Sequence, residues 1–385
     1  MRIGILTGGG DVPSLNTVIH DITYRASREK NMEVIGIRRG WGGLIYMNPD
    51  NPDLDSNHAI VLSDDIVRKI DREGGTFLHT SRTLPSKVKA HKELERFRGI
   101  KLKQKEERDM TGDVLKNLEN HKIDYLIVVG GDDTLTYARH MSKSGFPLIG
   151  VPKTMDGDVA GTDYCLGFST AINRANEILT DLRTTLGSHE RIGVVEIFGR
   201  YSGLTALYTA LAAKPDRVII PEVEFEMERL AELLIQDKKR NPSEYSLVLV
   251  SEGAKPKGGK MQIDKRKGKD MYGHKKLGGI GNYIAGELKK TTGENAMEEN
   301  LRYSLRSGRP SAKDKLVASA YANLAINAIL RNEIGKLTSI RNGRPVLVSL
   351  EETANSPVKV DAARLYNTDR FRPNYDKLEE ITLVL

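Results

Sequence analysis

Three short polar segments hold most of the residues able to do chemistry. Gly8-Gly9-Gly10-Asp11 follows the apolar run RIGILT, and Gly130-Gly131-Asp132-Asp133-Thr134 follows YLIVV. Pro152-Lys153-Thr154-Met155-Asp156-Gly157-Asp158 follows FPLIGV. Glycines after a strand let backbone N–H groups approach a phosphate closely. Asp132 beside them is placed to hold Mg²⁺ against phosphate oxygens. The same residues also suit a tight strand-to-helix turn, with Asp133 or Thr134 capping the helix. In the third segment Asp156 and Asp158 stand two residues apart beside Lys153 and Thr154. A carboxylate there can take a proton from a hydroxyl, and an ammonium can neutralise charge on a transferring group. A plain surface turn shares that composition. Taken together, the segments point to phosphoryl transfer.

Other candidates are single residues. Arg191 and Arg200 flank the run IGVVEIF, and a guanidinium offers phosphate a planar fork of donors. Glu252 follows SLVLV and can accept hydrogen bonds from hydroxyls, while Tyr303 and Arg306 lie in a polar segment able to close a phosphate site. Solvent exposure or ordinary ion pairing explains any one of these alone.

The elements that must position them alternate. Strands are expected at Arg2–Thr7, Glu33–Arg38, Tyr125–Val129, Phe146–Val151, Arg191–Phe198, Arg217–Ile220 and Ser246–Val250, with helical stretches between. A charged helical region is expected between Ser86 and Asn120. Apolar strands alternating with helices predict an α/β fold with parallel sheets, whose ligands bind beyond the strands' carboxyl ends. The length of 385 residues allows two such units with a cleft between them. The lysine- and glycine-rich stretch Lys255–Lys276 suits a solvated surface loop, or a lid over phosphate or a subunit contact.

Bulk properties narrow the classes. No apolar run approaches the ~18–20 residues of a membrane span. The opening MRIGILTGGG lacks the form of a secretory signal, and one cysteine, Cys165, makes neither an intrachain disulfide nor a metal cluster. A cytoplasmic protein without a membrane partner is expected. The net charge of +7 fits nucleic acid or small anionic substrates. Aromatic residues are 6% and are not interleaved with basic runs, so no nucleic-acid partner is expected.

The ordered set TGGGDVPSLN, GGTFLHTSR, GGDDT, PKTMDGD, GTDYCLGFSTA, SHERIGVVEIFGRYSG, PEVEF and SEG resembles the phosphofructokinase family from Gly4 to about Ala325. The resemblance implies two Rossmann-like units: residues 1–150 for the phosphoryl donor, completed by later segments near 255–300, and 151–385 mainly for the sugar phosphate. It implies Mg²⁺-dependent phosphorylation of fructose 6-phosphate. Gly10, Gly131, Asp133 and Thr134 would meet the donor, and Asp132 would bind the metal. Asp156 would be the general base on the 1-hydroxyl, with Thr154 and Asp158 beside it. Phe198, Gly199 and Arg200 would contact the sugar phosphate, Arg200 also stabilising transition-state charge. Glu252 would hold sugar hydroxyls, and Tyr303 and Arg306 the 6-phosphate. Arg191 would reach into a neighbouring subunit's site, implying a homodimer or homotetramer.

Donor choice turns on Asp133 and Lys153. ATP-using members of the family commonly carry glycine at both, so the pair implies pyrophosphate. The pattern departs from the family at Arg302-Tyr303-Ser304-Leu305-Arg306-Ser307-Gly308, where flanking glycines are lost, and at Met297, where an arginine is usual. Arg302 is the available substitute. His20 stands where regulated members carry a basic effector residue, so strong nucleotide regulation is not expected. The rival readings are an ATP-dependent phosphofructokinase, a lipid or nicotinamide-dinucleotide kinase with a GGDG-type loop, and a dinucleotide-binding dehydrogenase. The last needs a GxGxxG turn and an acid ending the second strand, where Arg38-Arg39 stands.

Overall fold

The computed structural model describes residues 1–50, 56–103, 106–262 and 278–380. In chain order the strands are β1 (Arg2–Thr7), β2 (Glu33–Ile37), β3 (Ala59–Leu62), β4 (Val88–Lys89), β5 (Glu107–Arg108), β6 (Tyr125–Gly130), β7 (Leu148–Pro152) and β8 (Ile192–Ile197). They continue with β9 (Arg217–Ile219), β10 (Ser246–Ser251), β11 (Ala296–Asn300), β12 (Lys336–Arg341), β13 (Arg344–Ser349), β14 (Tyr366–Asn367) and β15 (Arg372–Pro373). A seven-stranded sheet has the order β13-β12-β7-β6-β1-β2-β3, and a four-stranded sheet the order β11-β8-β10-β9. The small sheet is parallel throughout; in the large one only the edge strands β3 and β13 are antiparallel. The fold is α/β, with two mainly parallel sheets.

The central strands are apolar on both faces because both are covered. Alternate side chains of a strand point to opposite faces. Ile127 and Val129 of β6 join Ile3, Ile5, Ile149 and Val151 in one core. Leu126 and Val128 join Leu6, Ile35 and Leu148 in the other. The first core runs on into Val194, Val195 and Leu247–Val250 of the small sheet. Helices Phe168–Ser188 and Ala312–Leu330 are locked together by Asp314. Its carboxylate is fully buried and accepts from the Tyr164 hydroxyl at 2.8 Å and from the Gly167 and Thr170 N–H groups at 2.8 and 2.9 Å.

The charged region Ser86–Asn120 is α-helical in two pieces: Lys92–Arg98 ends at Gly99, which takes the left-handed φ of +62°, and a separate helix spans Thr111–Asn120. Among the described residues near 255–300, β11 pairs with β8 in the small sheet. The chain returns to the large sheet through β12 beside β7 and the hairpin to β13. That hairpin turns at Asn342-Gly343, with φ of +50° and +73° as a two-residue hairpin loop requires. Residues 263–276 of the lysine- and glycine-rich stretch lie outside the described residues.

Candidate active site

A cleft of about 340 Å³ opens beyond the carboxyl ends of β1, β6, β7, β8 and β10. Its floor is built from the loops after these strands. The loop after β1 is pinned at Gly9, whose N–H donates to Ser81 O and whose carbonyl accepts from Thr80 Oγ1. Thr134 fills the space that a side chain on Gly8 or Gly130 would occupy; a Cβ would fall 2.7 or 2.3 Å from it. Glycine is therefore required at both positions to let the two loops approach. Asp132 and Asp133 begin the helix Asp132–Lys143, and both face the cleft.

Lys153 lies under these loops. It is 3% exposed, and Nζ donates to Gly10 O at 2.7 Å. A Cβ on Gly9 would lie 3.2 Å from Nζ, and one on Gly131 3.9 Å. Burial, then the Arg306 and Arg82 charges, push its pKa down to about 7. The lysine is thus a reserve of positive charge that an anion between the loops would call up.

The loop after β7 carries the two aspartates. Thr154 N–H donates to Leu166 O, Asp156 N–H to Thr154 Oγ1 at 3.2 Å, and Val358 N–H to Asp158 O at 3.0 Å. Asp156 retains some exposed surface, but its Oδ1 is covered and has no hydrogen-bond partner. Its pKa is driven well up, first by burial and then by Asp158 and Glu252, with Arg306 opposing. Asp158 is raised as well, chiefly by burial. A carboxylate with an unpartnered oxygen and raised basicity is what proton abstraction from a hydroxyl requires.

The loops after β8 and β10 pack backbone against backbone. A Cβ on Gly253 would lie 2.0 Å from Arg200 O, and Gly253 N–H donates to Gly199 O at 3.1 Å. This contact brings Phe198, Arg200 and Glu252 to one wall of the cleft. Gly199, with φ of +128°, shapes the wall from behind and does not line it. Arg306 and Tyr303 part company. Tyr303 is 74% exposed at the rim, whereas Arg306 reaches inward, 4.5 Å over the Phe198 ring. Its Nη1 would be 2.6 Å from a Cβ on Gly10, so it stands at the junction of the two loop sets.

Most of the expected residues share this cleft: Gly10, Gly131, Asp132, Asp133, Thr134, Lys153, Thr154, Asp156, Asp158, Phe198, Arg200, Glu252, Tyr303 and Arg306. Arg191 does not. It is exposed just before β8, at the far end of a six-residue strand whose other end meets the cleft, roughly 20 Å away at ~3.3 Å per residue. Arg82, Tyr201 and Pro357 also line the cleft. Arg82 closes the GGTFLHTSR segment, so a signal for it was present; Pro357 had none.

Among the described residues no cluster of three or more His, Cys, Asp or Glu side chains forms a ready metal cage. Mg²⁺ commonly binds through one or two carboxylates together with substrate phosphates. Asp132, exposed at the cleft mouth beside the glycine loops, fits that mode. No helix among the described residues is long and apolar enough to cross a membrane.

Comparison with known proteins agrees with this arrangement. The phosphofructokinase profile matches residues 2–329. The chain is 36% identical over 364 residues to an ATP-dependent 6-phosphofructokinase of Streptomyces coelicolor, covering 94% of this chain and 98% of that one. It is 35% identical over 353 residues to a pyrophosphate–fructose 6-phosphate 1-phosphotransferase of Amycolatopsis methanolica, covering 91% and 94%. A relative of the same name from Thermoproteus tenax is 36% identical over 371 residues, covering 96% and 98%. Among solved structures, a pyrophosphate-dependent phosphofructokinase of Marinobacter aquaeolei superposes with a TM-score of 0.74 at 21% identity, covering 97% and 89%. Fold and cleft place the molecule among the α/β phosphotransferases. The chain belongs to the phosphofructokinase family. Its relatives carry two donor names at about the same identity, so likeness alone does not choose between ATP and pyrophosphate.

Proposed function

We propose that the protein transfers a phosphoryl group from pyrophosphate to the 1-hydroxyl of fructose 6-phosphate, giving fructose 1,6-bisphosphate and orthophosphate, reversibly and with Mg²⁺. Asp156 takes the hydroxyl proton as the new O–P bond forms and the bridging P–O bond of the donor breaks. Asp158 and Thr154 hold the reacting end. Arg200 and Arg306 face the charge that spreads over the transferring group. Asp132 would hold Mg²⁺, which neutralises phosphate charge when bound. Glu252 and Phe198 would meet the sugar, and Tyr303 the rim of its phosphate.

The donor assignment rests on one observation: Asp133 faces the cleft in the first turn of Asp132–Lys143, in the same cleft as the buried Lys153. A carboxylate there repels the α-phosphate that ATP carries beyond the two phosphates it shares with pyrophosphate, while the lysine charge serves the shorter donor. Arg191, remote from its own cleft, is assigned to a neighbouring subunit's site in a homodimer or homotetramer. A cytoplasmic location suits this chemistry. The test is turnover of purified protein with fructose 6-phosphate, Mg²⁺ and either pyrophosphate or ATP. Pyrophosphate should be used strongly preferentially; preference for ATP overturns the donor assignment and leaves the phosphotransferase reading standing.

A further inference from the structure

The Glu252 carboxylate faces the cleft at the end of β10, and its backbone is fixed by donation from its N–H to Ile197 O at 2.9 Å. The backbone alone does not fix the carboxylate, because a glutamate side chain has several free torsions. What holds it is Arg302, whose Nη1 donates to Glu252 Oε2 at 2.9 Å. Arg302 is itself tied inward. Its Nε donates to Asn300 Oδ1 at 3.1 Å and lies 3.6 Å from Glu196 Oε1.

Glu196 is wholly buried in β8 and is an unusually firm anchor. Its Oε2 accepts from the Gly279 and Gly281 N–H groups, both at 3.0 Å, at the start of the helix Ile280–Thr292. Its Oε1 accepts from Asn300 Nδ2 at 3.0 Å. The guanidinium also has a prepared space: a Cβ on Gly278, with φ of +141°, would fall 2.8 Å from Arg302 Nη2. Burial works against the charge of Arg302, but Glu252 and Glu196 more than offset it. Arg302 lines the cleft, but its Nη1 and Nε are committed to Glu252 and to Asn300 beside Glu196, which argues against its acting as a spare phosphate clamp.

We propose that Arg302 is a positioning residue for sugar recognition: it ties the Glu252 carboxylate to the buried Glu196 and so holds it in one orientation towards the substrate's hydroxyls. This rests on the fructose 6-phosphate reading of the cleft. A carboxylate held in place accepts sugar hydroxyls without first losing side-chain freedom, so the effect falls on substrate binding.

The test is steady-state kinetics of wild type, Arg302→Ala, Arg302→Lys, Glu252→Gln and the Arg302→Ala/Glu252→Gln double variant. Fructose 6-phosphate is varied at saturating donor and the donor at saturating fructose 6-phosphate, using whichever donor the wild type accepts. Arg302→Ala should raise the KM for fructose 6-phosphate about 10- to 100-fold, the size expected for one charge-assisted hydrogen bond. The donor KM should change less than about threefold, and Arg302→Lys should recover much of the loss. In the Glu252→Gln background the same alanine change should cost less than about threefold, because its target is gone. Equal effects on both substrates, additive effects in the cycle, or a wild-type KM in Arg302→Ala would each overturn the proposal. If Arg302→Ala does not fold, Arg302→Gln against Arg302→Lys carries the comparison, the glutamine lacking the charge. A wild type without turnover on fructose 6-phosphate with either donor, and without a melting shift in its presence, refutes the underlying reading instead.

Discussion

Replacing Lys153 by methionine removes one buried charge and keeps most of the side chain's bulk. Nζ lies 2.7 Å from Gly10 O and within 3.9 Å of Cβ positions on both Gly9 and Gly131, so a donor phosphate between those loops would be its direct neighbour. Opposite unit charges ~4 Å apart attract by ~4 kcal/mol at an effective dielectric of about 20. A hydrogen bond involving a charged group is worth a net ~1.5–3 kcal/mol. Taking the smaller range as the part that grows in the transition state, kcat with pyrophosphate should fall about 10- to 150-fold. The pH profile gives a sharper signature. In the free protein the Lys153 ammonium is lost as pH rises through about 7. Asp156 must lose its proton to act as base, and its pKa is raised by burial and by Asp158 and Glu252. The kcat/KM profile should therefore fall on the acid side through Asp156 and on the alkaline side through Lys153. Initial rates across pH in wild type and Lys153→Met test this. The variant should keep the acid limb and lose the alkaline limb near neutrality. An alkaline limb that persists unchanged, or a kcat within about twofold of wild type, refutes the assignment of Lys153 to the donor.

The same carboxylates and lysine bear on stability and donor choice. Asp156 and Asp158 have raised pKa values and so bind more protons folded than unfolded; their contribution is present at low pH and is lost as pH rises through the raised values. Lys153 binds fewer protons folded than unfolded between about 7 and its ordinary range, so its contribution improves as pH rises across that window. Asp156→Asn should therefore raise the ligand-free Tm at neutral pH by about 1–4 °C while removing turnover; a lower Tm by calorimetry would mean that contacts outweigh the cost of charge. Asp133→Gly should increase kcat/KM with ATP about tenfold or more by removing like-charge repulsion, and undetectable ATP use in the folded variant removes Asp133 as the gate. Arg191→Ala should raise the KM for fructose 6-phosphate more than that for the donor. Mixed with Asp156→Ala, it should regain activity in hybrid oligomers; no regain after verified subunit exchange shows that Arg191 serves no neighbouring site.

The cleft-lining loops were legible in the sequence because their requirements are local. A strand, two glycines and a carboxylate occupy consecutive positions, and parallel strands bring their carboxyl ends to one edge wherever they lie in the sheet. Gly10, Gly131, Asp132, Lys153 and Asp156 therefore converge for reasons that need only the α/β alternation. The return of the chain through β12 and β13 to a place beside β7 was not read from the sequence, because pairing with a strand so much earlier in the chain leaves no local signal.

What the tertiary structure alone decided is the pairing of side chains from distant segments. Strand order β11-β8-β10-β9 departs from chain order; it sets Asn300 beside Glu196 and brings Glu252 to the end of the neighbouring strand, its N–H on Ile197 O. That neighbourhood turns Arg302 from a candidate phosphate ligand into the partner of two carboxylates, because a guanidinium taken out of water is drawn to the nearest buried negative charge. Likewise Arg306 and Tyr303, three residues apart, separate into a half-buried group against Gly10 and an exposed ring at the rim. Residue type announces which groups can bind phosphate; packing settles which of them are left facing it.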